Sequence, residues 1–265
     1  MVECTVLERR HPSKADRGFE SPSLRHIISR GMRSLCPVAQ RRGKSPSLRQ
    51  NKTIMKKSTI AIILIIVLSF AVGIYFYPQM PDMMISHWGI EGEPNGQMSK
   101  FWGLFLMPIM SVILATILIL VPKIDPLKEN IKNFGKYFEG FIVIFFLFLF
   151  YIYLLTIFWN LGIKFDFIFA MVPAFTILFY YTGVLIEHAE KNWSIGIRTP
   201  WTMSSEKVWN KTHKLGGKLF KLSALIGLIG LFFKDYAIYF IIIPILASSL
   251  FLFLYSYLEY RKEKA

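Results

Sequence analysis

Charge is what much of this 265-residue chain lacks. Residues 58–77, 101–122, 140–163, 167–186 and 236–258 contain no Asp, Glu, Lys or Arg. A helix rises about 1.5 Å per residue, so each of these tracts can cross a hydrocarbon layer about 30 Å thick. A sixth apolar tract, 222–233, is shorter; it extends backwards to Gly217 because Lys218 and Lys221 can snorkel their amines to the interface. Strand-like alternation of apolar and polar residues is missing as well, which excludes an outer-membrane barrel. Cysteine is scarce: Cys4 and Cys36 are the two present. No disulfide framework or cysteine-rich metal site can therefore form in the apolar body.

Catalytic signatures are also missing. There is no HExxH, no GxSxG and no acid pair inside an apolar tract. The five histidines are scattered, at 11, 26, 87, 188 and 213. These absences argue against an enzyme, and neither a cofactor nor a metal is expected. What is present is apolar mass, with 54% hydrophobic and 16% aromatic residues. The expected fold is all-α: a polytopic integral membrane protein with six transmembrane helices and both termini cytoplasmic. The expected location is the cell membrane, with the lipid bilayer as first partner.

The net charge of +14 divides unevenly. Residues 1–54 hold 12 Lys+Arg against 4 Asp+Glu, whereas residues 55–265 hold 19 against 13. In the second segment the cations sit at the edges of apolar tracts, where they fix topology rather than grip phosphates, so no direct nucleic-acid binding is expected there. Nine of the 11 arginines lie in residues 1–54, which also carry SPSLR twice, at 21–25 and 45–49. Met55-Lys56-Lys57 followed by an apolar run is an ordinary start for a membrane protein. Residues 1–54 thus read as upstream sequence outside the native protein. The alternative is a disordered basic arm that touches anionic lipid or nucleic acid. A cleaved signal peptide fits less well, because the run 58–77 exceeds a signal h-region and no small-x-small site precedes Pro78. The remainder divides into 55–139, two helices with an outer loop, and 140–265, four helices with an inner loop.

Lys and Arg in short loops favour the cytoplasmic side. With Lys56 and Lys57 inside, 78–100, 164–166 and 234–235 fall outside, and these segments hold only Lys100, Lys164 and Lys234. The inside segments 123–139 and 187–218 hold ten Lys or Arg. Six spans satisfy this asymmetry.

Two loops carry the information. In the outer one, Pro78, Pro81 and Pro94 forbid a continuing helix, while Gly89, Gly92 and Gly96 offer positive-φ positions. Glu93-Pro94-Asn95-Gly96 has the order of a tight turn. The segment reads as an ordered lid, with Met83, Met84 and Trp88 on the bilayer interface. His87, Glu91 and Glu93 are metal-ligand types, but no second histidine lies on this side, so a polar turn with an interfacial histidine is the better reading.

In the inner loop, Arg198 is the only arginine between Lys56 and Tyr260. A planar donor fork is wanted there, for backbone carbonyls, a carboxylate or a phosphate. Pro200 fixes an extended approach. Ser204 then caps a helix with Glu206 in its first turn, Lys211, His213 and Lys214 in its last, and Gly216 just past its end. Val208, Thr212 and Leu215 share one face with Trp209 beside them, and the lysines face away. This is expected to be a helix lying in the inner interface, either purely structural or presenting a surface to a partner or lipid headgroup.

The two loops resemble one family. Tyr77-Pro-x-x-Pro, His87-Trp88 and Gly92-Glu93-Pro94-Asn95-Gly96 look like the N-terminal domain of unknown function of SdpI-like membrane proteins, with Asn95 where aspartate is common. Gly196-Ile-Arg198-Thr199-Pro200-Trp201-Thr, Ser205-Glu206-x-Val-Trp209, Thr212-His213 and Gly216-Gly217 look like the C-terminal domain of the same family. The resemblance covers about 58–258. It implies immunity to a toxin and signalling: a secreted membrane-active antimicrobial peptide is met outside, on the outer-loop residues Pro78, Pro81, His87, Trp88, Glu93, Pro94 and Gly96. The resemblance further implies that a soluble winged-helix repressor would be recruited inside, where the motif Gly196 to Gly217 is expected to be structural or partner-binding. The competing class is a transporter or exporter of an apolar or peptide substrate. Spans free of charge at mid-depth disfavour ion coupling but not that.

Overall fold

The computed structural model describes residues 46–233 and 236–265; the readings made for residues 1–45, Lys234 and Asp235 lie outside them. Helix α1 is Pro46–Phe76, continued by a 3-10 turn at Tyr77–Gln79. Strands β1 (Met83–Trp88) and β2 (Pro94–Ser99) follow, then α2 (Lys100–Ile124), α3 (Lys128–Asn133), α4 (Gly135–Asn160) and α5 (Phe167–His188). The chain ends with α6 (Pro200–Ser204), α7 (Glu206–Ile229), a 3-10 turn at Gly230–Phe232, and α8 (Tyr239–Lys264).

Among the described residues, six helical stretches are long and apolar enough to cross a membrane: Lys57–Gln79, Lys100–Ile124, Gly135–Asn160, Phe167–His188, Glu206–Phe232 and Tyr239–Lys264. They leave large apolar side chains on the outside, such as Leu64, Ile177, Leu246 and Leu250. Lipid tails solvate such residues, so helix contacts come from close packing rather than from hiding hydrophobic surface. Pro108, Pro173 and Pro244 sit inside α2, α5 and α8 without ending them.

The sixth span differs from its expected form. No interfacial helix ends at Gly216. Instead α7 runs unbroken through Gly216 and Gly217, so the inner-loop helix and the short sixth tract are one element. The glycines serve close approach to α5 rather than a C-terminal cap. A Cβ on Gly217 would lie 2.7 Å from the carbonyl oxygen of Gly183, and one on Gly183 would lie 2.7 Å from that of Gly217. Small residues at matching positions let the two backbones touch. The cap is Ser205, whose Oγ accepts the Val208 amide at 3.2 Å, while Ser204 ends α6 and donates its hydroxyl to the Pro200 carbonyl at 2.6 Å.

The outer loop forms an antiparallel hairpin. Its turn lies upstream of the expected Glu93–Gly96 position: Gly92 donates to the Gly89 carbonyl at 3.0 Å, and Gly89 donates to the Glu93 carbonyl at 2.8 Å. Pro94 and Gly96 are strand residues, paired with Trp88 and His87. Of the three loop glycines only Gly92 takes a positive φ, of 82°.

Candidate functional site

The hairpin is docked into the bundle. Asn160, the last residue of α4, accepts the Ile85 amide on Oδ1 at 2.8 Å and donates Nδ2 to the Ile85 carbonyl at 2.9 Å. Met84 is fully buried against Leu104, Tyr153 and Ile157, which corrects its expected place on the bilayer interface; Met83 is exposed. Trp88 is committed to the protein too. Its ring stacks on Phe167 at 3.8 Å between centroids and meets Trp159 edge-on at 5.9 Å. At the base, Lys100 reaches Asp82 at 3.1 Å and its amide donates to the Asp82 carbonyl at 2.8 Å.

The hairpin gathers the sequence-predicted outer residues unevenly. His87 Nδ1 lies 2.5 Å from Asn95 Oδ1, and Glu93 and Pro94 are exposed beside the turn. Pro78 and Pro81 stay at the base, in and just after the 3-10 turn. Next to the turn is a cavity of about 410 Å³ whose lining includes Ile90, Glu91, Asp166, Tyr236 and Tyr239. Asp166 also caps α5, accepting the Phe169 amide at 2.9 Å. Two carboxylates and two phenol rings face one space, a lining suited to a cationic or amphipathic group. Asp166, Tyr236 and Tyr239 were not anticipated as site residues, because nothing local joins the starts of α5 and α8. No group of three or more His, Cys, Asp or Glu able to hold a metal ion occurs among the described residues.

At the opposite ends of these helices the inner loop is tied down by two buried polar side chains, one its own and one from the segment after α2. Asp125, 3% exposed, accepts the Leu127 amide on Oδ1 at 2.7 Å, and on Oδ2 the Trp193 amide at 3.0 Å and the Ser194 hydroxyl at 2.6 Å. Asn192 is fully buried; Oδ1 accepts the amides of Ser194 and Ile195, and Nδ2 donates to the carbonyls of Glu190 and Ile195. Both are Asx-type turns, and the pairs Asp125-Pro126 and Asn192-Trp193-Ser194 are the sequence signals that could have found them. Arg198 is exposed and donates Nη1 to the Trp193 carbonyl, so among the three acceptors expected for its fork a backbone carbonyl is the one observed.

The motif residues Gly196 to Gly217 converge on α7. Trp209 is buried, stacked on His213 at 3.8 Å, and donates Nε1 to the Ala189 carbonyl at 2.7 Å. His213 holds the Trp209 carbonyl with Nδ1 at 2.9 Å and accepts the Ile197 amide on Nε2 at 3.0 Å. Accepting on Nε2 leaves the proton on Nδ1, so one tautomer bridges helix and loop. Gly196 has a φ of 118°, and a Cβ there would collide with His213 Nε2. Thr199 forms a capping box with Thr202 at the start of α6, its Oγ1 3.0 Å from Ser256 Oγ, and Pro200 is the first helical residue. Trp201 packs on Phe253 and Tyr257 of α8.

The lysines of α7 do not all face away. Lys211 pairs with Glu259 at 2.5 Å, and Glu259 is nearly buried and also holds Lys262 at 3.0 Å. Lys207 and Lys214 are exposed, as is Glu206, while Thr212 is fully buried. Ser205 donates to Glu263 at 2.5 Å.

Residues 188–256 match the model of the SdpI/YfhL protein family, and residues 64–112 match a domain of unknown function, DUF1648. The Immunity protein SdpI of Bacillus subtilis (strain 168) is 27% identical over 212 residues, covering 78% of this chain and 98% of that protein. No solved structure matches. With the inner-loop motif inside one matched segment, the outer loop inside the other, and six membrane-length helices among the described residues, the chain is a multi-pass membrane protein similar to the SdpI family over those two segments.

Proposed function

We propose that this protein protects its cell against a secreted membrane-active peptide, received on the hairpin side. The observation that carries this reading is the alignment with Immunity protein SdpI along 98% of that protein's length. The hairpin faces outside in this reading, as the lysine asymmetry favours. Both termini are then cytoplasmic and the protein sits in the cell membrane. The cavity of Glu91, Asp166, Tyr236 and Tyr239 beside the hairpin turn supplies acidic and aromatic groups to a basic amphipathic ligand.

Signalling follows from the helices that connect the two ends. Asp166 opens α5 and Tyr239 opens α8, while the inner loop packs on α7 and on the far end of α8. A ligand that binds two arrangements of the outer end unequally shifts the inner end, and about 1–3 kcal/mol of such coupling is typical. The exposed Lys207 and Lys214 then offer cations to an acidic partner, a soluble winged-helix repressor in this reading.

The test is expression of the chain in a sensitive host challenged with a membrane-active peptide toxin. Glu91→Gln combined with Tyr239→Phe should lower protection without lowering protein level. Lys207→Gln with Lys214→Gln should spare protection and weaken recruitment of the repressor to membranes. Normal protection by the outer variants, with loss on substituting residues inside the spans, would instead identify an exporter.

A further inference from the structure

At the end of the bundle opposite the hairpin, α1, α2, α3 and α4 enclose a cleft of about 350 Å³ that belongs to neither loop. Its depth is apolar: Ile62, Ile131, Phe138 and Ile142 line it, and each is at most 5% exposed. Its mouth is basic. Lys123 lies in the last turn of α2, and Lys128 and Lys132 stand four residues apart on α3, so they share one helix face. Among the described residues the one acid in the lining is Glu139, whose Oε2 accepts the Ser58 hydroxyl at 3.3 Å. Glu129, beside the mouth, pairs with Lys132 at 2.6 Å, and that bond holds its carboxyl below the usual range. Among the described residues, three ammonium groups against two carboxylates leave an excess of positive charge over an apolar slot.

We propose that this cleft binds one anionic phospholipid, its phosphate among the lysines and one acyl chain in the slot. The volume is within the range of about 300–1,000 Å³ usual for small-ligand sites. Ammonium groups stationed above an apolar slot at span ends match a ligand that is charged at one end and greasy along its length. Basic pockets between membrane helices take acidic headgroups for this reason. A choline headgroup would bring a second cation against Lys123 and Lys128, so zwitterionic lipid is disfavoured. A free headgroup would leave the slot unfilled. The site joins the N-terminal pair of spans to α4, so an occupied cleft also braces α1, whose outer face carries many lipid-exposed residues.

The test is native mass spectrometry of the purified full chain in detergent, titrated with phosphatidylglycerol, phosphatidylcholine or glycerol 3-phosphate. One phosphatidylglycerol should be retained in preference to phosphatidylcholine, and glycerol 3-phosphate should not displace it. Lys123→Gln with Lys128→Gln, both exposed, should weaken that retention about tenfold or more while leaving the thermal midpoint of lipid-free protein unchanged. Ile142→Trp, which fills the slot but keeps the lysines, should abolish retention of either lipid. Equal retention of the two lipids, displacement by glycerol 3-phosphate, or unchanged preference in the double lysine variant would each overturn the proposal.

Discussion

Asn160 treats Ile85 as a neighbouring strand would, accepting its amide at 2.8 Å and donating to its carbonyl at 2.9 Å. One side chain therefore satisfies the outer backbone edge of β1 and fastens the hairpin to α4.

Asn160→Leu should release that edge. Each backbone group stripped of its partner in a partly buried place costs about 1–3 kcal/mol. Amide exchange over 83–99 should speed up in nanodiscs while the spans stay protected. Unchanged exchange would show that Met84 and Trp88 hold the hairpin without help.

Asp125 should matter more to the inner loop than Arg198 does. Asp125→Asn keeps one acceptor oxygen but turns an amino group towards the donors of Trp193 and Ser194. Losing hydrogen bonds to a charged group costs about 1.5–3 kcal/mol. Arg198→Lys retains a donor at an exposed site, where substitutions usually stay within about 0.5 kcal/mol. Limited proteolysis in inverted vesicles should cut 190–205 faster in the first variant only; the reverse order would make the arginine the anchor.

Gly196→Ala combines two faults, a positive φ and a collision with His213. A destabilisation of at least about 1–2 kcal/mol is expected from the backbone alone. Thermal unfolding of Gly196→Ala with His213→Ala separates the two, since only the steric part can be relieved. Full recovery in the double variant would mean that the backbone carries no strain there.

Gly217→Val should push α7 off α5. The first added carbon already lies 2.5 Å from Glu187 Cβ and 2.7 Å from the Gly183 carbonyl. Loss of a monodisperse peak in size exclusion is expected. A variant that elutes normally would show that the crossing can open without cost.

Orientation is tested by accessible cysteines in a background with Cys4 and Cys36 replaced by Ser. A cysteine at exposed Gln97 should react with an impermeant maleimide in intact cells, and one at exposed Asn210 should not. Labelling at Asn210 would place the inner loop outside.

Several features were legible because they are written in composition or in local chemistry. Charge-free tracts of about twenty residues can do little but span a membrane, since the backbone in lipid must bond to itself. Ser205 as a cap was missed by one residue, because Ser204 and Ser205 are equivalent acceptors and only the turn of α6 decides which precedes the helix. Gly216-Gly217 misled for a physical reason. A glycine pair that ends a helix and one that admits another backbone look alike, and the difference lies in Gly183, about thirty residues away.

The sequence by itself determined the all-helical membrane body, the number of spans and the two loops rich in Pro, Gly and Trp, because hydropathy and backbone stereochemistry act locally. Only the tertiary structure decided what those loops touch. Ile85 meets Asn160, Ile197 meets His213, and Glu91 shares a cavity with Asp166 and Tyr239. Such pairings depend on how helices cross, and crossing is set by side-chain shape summed over many contacts, which no short window of residues contains.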